Sequence, residues 1–150
     1  MKLVEIIIAG IAGTALMTLF MYIMTFFTER VMKVTKILGT MLTFETSPEG
    51  KLSDSNRAVT VGILAHYAIG IAFALAYYGL WSLGIGRPDM QSGIWFGLGS
   101  GLAAIVFWYS FFALHPKPPA IELKSYLLSL FVAHIVFTYG VIVAYNWLRS

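Results

Sequence analysis

Two histidines, His66 and His134, carry the side chains best suited to chemistry, because each lies well inside a long apolar segment. At a rise of about 1.5 Å per helical residue, each imidazole lies about 12 Å from the start of its segment. Both segments enter the membrane from the same side, so the two rings share one depth. An ionisable side chain inside a bilayer is costly and therefore marks a functional site by default. Two neutral imidazoles at one depth can ligate a b-type haem, one on each axial side.

The neighbours of the two histidines meet the further requirements of such a haem site. Gly62 and Gly70 stand one helical turn before and after His66, which leaves room for a flat cofactor or for a closely packed helix. Thr18 and Thr138 are the hydroxyls available as hydrogen-bond partners for the iron-bound imidazoles. In this alternative His66 and His134 are the metal ligands, and all six residues bind the cofactor.

Other metal chemistry is less well supplied by this sequence. A thioether from Met17 or Met21 would complete a soft copper site with the two imidazoles. Zinc-dependent hydrolysis lacks a carboxylate near either histidine to act as general base. The chain contains no cysteine, which excludes thiolate metal sites and cysteine nucleophiles. We therefore expect no catalytic residue and predict that the protein is not an enzyme.

Four apolar segments must position these residues, and each is long enough to cross a bilayer as a helix. Only 11% of the residues are charged, about half the fraction of a soluble domain. Backbone groups within lipid must be satisfied inside their own segment, which favours helices. The sequence predicts an all-α, integral membrane four-helix bundle forming a single domain over residues 1–150, with spans at about 3–27, 58–83, 92–114 and 126–148.

A loop of about thirty residues, 28–57, follows the first span and is predicted to be cytoplasmic. Its apolar residues recur at helical spacing at Val31, Val34, Leu38 and Met41. This pattern predicts a short amphipathic helix lying at the membrane interface. The connection between the second and third spans is short, which predicts that these two spans are antiparallel neighbours. His115 follows the third span and is predicted to be solvated at the interface.

Small residues at four-residue intervals predict where helices approach closely. Gly10 and Thr14 form such a row in the first span, and Gly93, Gly97 and Gly101 form another in the third. Small side chains let helix backbones pack together in lipid, where the hydrophobic effect gives no drive for association. The sequence leaves open whether the partner of the third span is another span or a second copy of the chain.

Basic residues predict the orientation. Three lie on the side that holds both termini and seven on the opposite side, which places the seven in the cytoplasm. The protein is accordingly predicted to be a multi-pass protein of the cell inner membrane with both termini on the non-cytoplasmic side. The positive charge thus reports orientation and does not indicate a nucleic-acid partner. The seven are Arg30, Lys33, Lys36, Lys51, Arg57, Lys117 and Lys124.

Several short motifs together resemble those of a family of small, uncharacterised, four-span bacterial inner-membrane proteins. They comprise a glycine- and threonine-rich first span and one histidine in each of spans two and four. The resemblance extends over nearly the whole chain and implies the four-span topology, with His66 and His134 at family-like positions; it implies no reaction. The motifs are Gly10-x-x-Gly13-Thr14-x-x-Met17-Thr18, Lys36-Ile37-Leu38-Gly39-Thr40-Met41, Gly62-x-x-x-His66-x-x-x-Gly70, Gly93-x-x-x-Gly97 and His134 with Tyr139-Gly140 and Tyr145.

The function expected from the sequence is that of a non-enzymatic scaffold, assembly or accessory subunit without a cofactor. Its partners are the lipid bilayer and either itself or a larger membrane complex. In that case His66 and His134 bond to each other, or each to Thr18 or a backbone carbonyl. One alternative is a haem b protein for electron transfer. A second is a small oligomeric transporter or channel, although Glu5 is the only acidic residue within a span.

Overall fold

The computed structural model describes residues 2–150, and these contain five helices and no strand. The fold class predicted from the sequence is confirmed. Four helices are long and apolar enough to cross a membrane, and the chain is therefore a multi-pass membrane protein. In chain order the helices are α1 Lys2–Thr28, α2 Val34–Thr43, α3 Asn56–Ser82, α4 Met90–Leu114 and α5 Leu123–Trp147.

Polar residues set where two of the long helices begin. The Ser55 hydroxyl accepts a hydrogen bond from the Ala58 backbone N–H at 3.0 Å and caps α3. The Asp89 carboxylate accepts one from the Ser92 N–H at 2.7 Å and caps α4. Each cap satisfies a backbone donor that the first turn leaves free. The same bond from Ser92 lowers the pKa of Asp89, because it stabilises the carboxylate.

The four long helices stand in the order α3, α1, α5, α4 around the bundle. Glycines on α1 make two of these contacts close. A methyl group on Gly10 would come within 2.9 Å of Ala74 on α3, and one on Gly13 within 2.6 Å of Val141 on α5. The first span therefore packs between two other helices through its small residues.

The second and third spans, α3 and α4, are neighbours as predicted, but they meet mainly through side chains. α3 and α4 are joined by a short loop but make almost no backbone contact, whereas α5 packs against α4 and α1 against α3. Aromatic side chains between them, including Tyr77 and Phe96 with ring centroids 5.1 Å apart, hold the two helices away from each other. We call this gap the α3–α4 seam.

The predicted short helix exists as α2, but it does not simply lie on the surface. Eight of its ten residues are buried, and it crosses α3 where two glycines meet. A methyl group on Gly39 would come within 1.9 Å of the Ala58 carbonyl oxygen, and one on Gly62 within 1.9 Å of the Thr35 carbonyl oxygen. α2 is therefore locked onto α3 by backbone contact.

The glycine row of α4 packs on α5 of the same chain. Added methyl groups would meet Ile142 from Gly93 at 2.7 Å, Ile135 from Gly97 at 2.8 Å and Phe131 from Gly101 at 2.8 Å. The question that the sequence left open is therefore answered within one chain. The row lets the first half of α4 approach α5 closely.

His115 is buried, so the prediction that it is solvated is wrong. Its Nε2–H donates to the Met41 carbonyl oxygen at 2.9 Å, and its ring stacks on Phe44 at 4.9 Å between centroids. The connection after α4 is thereby tied to the end of α2. The Thr46 hydroxyl also donates to the Lys117 carbonyl oxygen at 2.7 Å, so both connecting loops form one layer at this end, called here the loop end.

Candidate functional site

A cavity of about 280 Å³ lies inside the bundle at the level of the two histidines. All five helices contribute to its wall, and Val34 and Leu38 of α2 line it toward the loop end. The wall is apolar except for the side chains of Thr14, His66 and His134 and the indole N–H of Trp108. It is lined by Thr14, Met17, Val34, Leu38, His66, Ile69, Gly70, Phe73, Ala103, Ala104, Phe107, Trp108, Leu130, His134 and Phe137.

Exposed residues among these mark a side opening at the α3–α4 seam. Ile69 on α3 is 40% exposed and Phe107 on α4 is 53% exposed, and Ala103 beside Phe107 is also exposed. These positions lie in the middle of membrane-spanning helices, far from either loop. The cavity is therefore open toward lipid rather than toward water.

Thr18 is the hydrogen-bond partner of the His66 ring. The Thr18 hydroxyl donates its single proton to the Thr14 carbonyl oxygen at 2.7 Å. It lies 3.1 Å from His66 Nε2, and while its proton stays on that carbonyl it accepts a hydrogen bond from this nitrogen. Neutral His66 thus carries its proton on Nε2 and has an unprotonated Nδ1. The expected bond between Thr18 and His66 is present.

A backbone carbonyl fixes the His134 ring in the opposite tautomer. His134 Nδ1 lies 2.8 Å from the Leu130 carbonyl oxygen, which can only accept. The proton of neutral His134 is therefore on Nδ1, and Nε2 has a free lone pair. Both rings are buried with 6% exposure, where a second proton would place a charge in an apolar surrounding.

One ring nitrogen of each histidine is left without a partner. Within residues 2–150 no hydrogen bond reaches His66 Nδ1 or His134 Nε2. The fully enclosed polar side-chain atoms without a partner in that range belong to Glu5, Trp81 and Tyr126, so these two nitrogens keep accessible surface. The site therefore offers two unused hydrogen-bond acceptors beside an apolar cavity.

Thr138, named as a partner for an imidazole, bonds elsewhere. Its hydroxyl donates to the His134 carbonyl oxygen at 2.9 Å and lies 3.0 Å from the Tyr77 hydroxyl. Tyr77 also donates to Ser100 at 2.8 Å. This small network connects α3, α4 and α5 across the seam and includes no hydrogen bond to either histidine ring.

The two glycines beside His66 do not leave an open slot. The Thr14 hydroxyl would lie 1.8 Å from a methyl group on Gly70, and α2 fills the space beside Gly62. The room that the sequence offered to a helix or a flat cofactor is therefore used by helices. Met17 lines the cavity, whereas Met21 is buried outside it. Residues 2–150 contain no cluster of three histidine or acidic side chains that could hold a metal ion.

The sequence analysis did not identify the aromatic residues of the cavity wall as part of the site. Phe73 lies seven residues after His66 and Phe137 three residues after His134, so each shares a helix face with its histidine. The Phe73 ring contacts the His134 ring edge to face at 5.8 Å between centroids. The helical spacing was a signal that could have found them.

Comparison with protein families places the whole described chain in one group. Residues 2–150 match the family of unknown function DUF6789. The chain belongs to this family. Comparison with curated proteins and with solved structures finds no match in either. The family membership agrees with the resemblance to an uncharacterised family and supplies no activity.

Proposed function

We propose that this DUF6789 protein is a non-enzymatic accessory protein of the inner membrane that holds a small uncharged ligand in its lateral cavity. One observation carries the proposal: two neutral imidazoles, each fixed by a hydrogen bond, present unused nitrogens to a single apolar cavity. A pair of buried polar groups in an apolar wall is the usual composition of a small-molecule site. The opening at the α3–α4 seam favours a ligand that arrives through the bilayer.

The size of the cavity decides between the alternatives. At about 280 Å³ it lies just below the range of about 300–1,000 Å³ that holds drug-sized ligands. A haem is larger than such ligands and would need α2 or Thr14 to move away from His66. A single copper ion bound to both histidines and Met17 would leave most of the volume empty. A compact organic molecule fits the volume best.

Transport is supported less well by the same wall. Its polar groups are those of Thr14, His66, His134 and the indole of Trp108, all around one cavity. A pathway for ions needs polar groups along its length. A site that holds one molecule needs polar groups at one place only. Such a site suits an accessory subunit that retains a ligand or delivers it to a partner.

Mass spectrometry of the intact protein released from lipid nanodiscs tests the proposal. Ala104 is buried in the cavity wall, so Ala104→Leu fills the cavity, whereas Ala113→Leu on the same helix places the same side chain at an exposed position. We expect a bound small molecule with the wild type and Ala113→Leu, and none with Ala104→Leu. A molecule on all three proteins, or on none, contradicts a ligand site in the cavity. A Soret absorption band would favour the haem alternative instead.

We also propose that both termini lie on the non-cytoplasmic side, because seven of the ten basic residues belong to the loop end and its flanks. An accessible tag after Ser150 should react with an impermeant reagent added outside the cell. A tag inserted at Pro48 should react only after the membrane is opened. The reverse pattern would contradict this orientation.

A further inference from the structure

We infer that the ligand is a neutral, lipid-soluble phenol, such as a hydroquinone. This inference rests on the proposed function and names the chemical class of its ligand. The decisive feature is which hydrogen-bond roles the cavity wall leaves unfilled. Two are acceptors, His66 Nδ1 and His134 Nε2, so the ligand must supply donors.

Each histidine can exchange its role only together with a change in a neighbouring hydrogen bond. His134 can become a donor into the cavity only by giving up the bond from Nδ1 to the Leu130 carbonyl. His66 can do so only if Thr18 turns its proton away from the Thr14 carbonyl. Thr14 itself donates to the Gly10 carbonyl at 2.7 Å, so its oxygen also remains only an acceptor. The wall is thus set to receive hydroxyl groups.

One lining side chain retains an unused donor, the indole N–H of Trp108, for which no hydrogen bond exists within residues 2–150. A hydroxyl group suits this combination, because its oxygen can donate to an imidazole and accept from an N–H. An ether or a quinone can only accept, and would leave both imidazoles unpaired. An unpaired buried polar group loses the free energy of its hydrogen bond and stays desolvated.

Charge and shape narrow the class further. The cavity is lined by no lysine or arginine, so a carboxylate or phosphate would meet two lone pairs and no cation. The rings of Phe73, Phe107, Trp108 and Phe137 form much of the wall. Aromatic rings pack favourably edge to face on one another, which favours an aromatic ligand over an aliphatic alcohol.

A matched pair of probes tests the inference: para-trifluoromethylphenol and its methyl ether, which differ in the donor but share the apolar body. Fluorine NMR measures the binding of each probe to the protein in nanodiscs. Nanodiscs that contain the Ala104→Leu variant show how much probe enters the lipid without binding in the cavity. We expect the wild type and Ala113→Leu to bind the phenol. The ether should bind about tenfold more weakly, as loss of a buried hydrogen bond implies.

Histidine variants of similar size identify the acceptors. The probe has one hydroxyl and donates to one imidazole at a time, so a single variant removes the bond only at the ring that accepts it. The double variant His66→Phe, His134→Phe should weaken phenol binding about tenfold and leave ether binding unchanged. His115→Phe, at the loop end and outside the cavity, is the control and should change neither. If a histidine variant fails to fold, the ratio of phenol to ether binding by the wild type still decides the question.

The outcomes separate this inference from the proposed function. Equal binding of phenol and ether by the wild type would overturn the phenol inference but leave a cavity that binds apolar molecules. Phenol binding that is unchanged in the His66→Phe, His134→Phe double variant would overturn it as well. A third outcome is that neither probe binds more strongly than to Ala104→Leu although mass spectrometry finds a bound molecule. That outcome would overturn the phenol inference and leave the proposed function standing. Binding of neither probe without any such molecule would overturn both.

Discussion

The contact between α1 and α5 and the seam between α3 and α4 use opposite kinds of residue. Where α1 meets α5, Gly13 and Gly140 face each other, and a methyl group on Gly140 would lie 3.0 Å from the Gly13 Cα. Where α3 meets α4, the rings of Tyr77, Trp81 and Phe96 stand between the helices with centroids 5.1–6.2 Å apart. Both pairs of helices are antiparallel and of similar length, yet only one is closely packed.

The comparison shows that side-chain volume, and not loop length, decides which helix backbones approach closely. Small residues let two backbones meet, and lipid offers no hydrophobic drive to close a gap held open by large rings. The seam consequently contains both the opening of the histidine cavity and a shallower hollow of about 550 Å³ lined by Trp95 and Gly99. The closely packed side fixes the bundle, and the seam provides space for a ligand.

The largest loss of stability is expected from a substitution in the glycine row of α4, where α4 packs on α5. Gly97→Leu forces a large side chain into a position where even a methyl group would lie 2.8 Å from the Ile135 Cα. We expect the free energy of unfolding to fall by about 1–3 kcal/mol, the usual range for overpacking, and the melting temperature in detergent to fall clearly.

Gly99→Leu, two residues away, is the matched control for that substitution. No atom lies within 4 Å of a methyl group built on Gly99, which borders the hollow of the seam. We expect a melting temperature close to that of the wild type. Equal destabilisation by both substitutions would mean that the seam is as closely packed as the α4–α5 contact, contrary to the structure.

An intermediate effect is expected at the seam from Tyr77→Phe. This substitution removes the only side-chain hydroxyl that links α3 to Ser100 and Thr138, while both of those hydroxyls keep their bonds to carbonyls. Interhelical hydrogen bonds in membranes contribute about 0.6 kcal/mol on average, so the melting temperature should fall slightly. Tyr109→Phe, at an exposed position, should have no effect. A loss as large as that of Gly97→Leu would show that the seam is held mainly by this network.

The smallest effect is expected at the loop end, which is held by polar contacts in water. Hydrogen bonds from Ser55 and Ser53 and the positive charge of Arg57 lower the pKa of the Glu45 carboxyl. A lowered folded-state pKa contributes stability above the unfolded-state value of about 4.3, and this stability is lost as the pH falls through the folded-state value. Glu45→Gln should therefore reduce stability slightly at pH 7 and flatten its acid dependence in thermal unfolding. A steeper acid dependence in the variant would contradict this assignment.

The sequence predicted the parts of the site better than their surroundings. Segment lengths and histidine positions predicted that His66 and His134 share one level, because helical rise is uniform, and both residues do line one cavity. They were not enough to foresee that α2 and Thr14 occupy the space beside Gly62 and Gly70, since a glycine offers the same room to a helix as to a cofactor. His115 was misjudged for a related reason: its surroundings come from α2, which lies more than seventy residues earlier.

The sequence by itself determined the four membrane-spanning helices, the short helix after the first, and the small-residue faces on which helices can meet. These follow from local composition and helical period, which act within a few turns of one chain. Only the tertiary structure decided which faces meet, that α4 packs on α5 rather than on α3, and that a cavity opens toward lipid at the seam. It also brought Thr18 to the His66 ring and the Leu130 carbonyl to the His134 ring, and the position of a ring proton depends on such partner atoms.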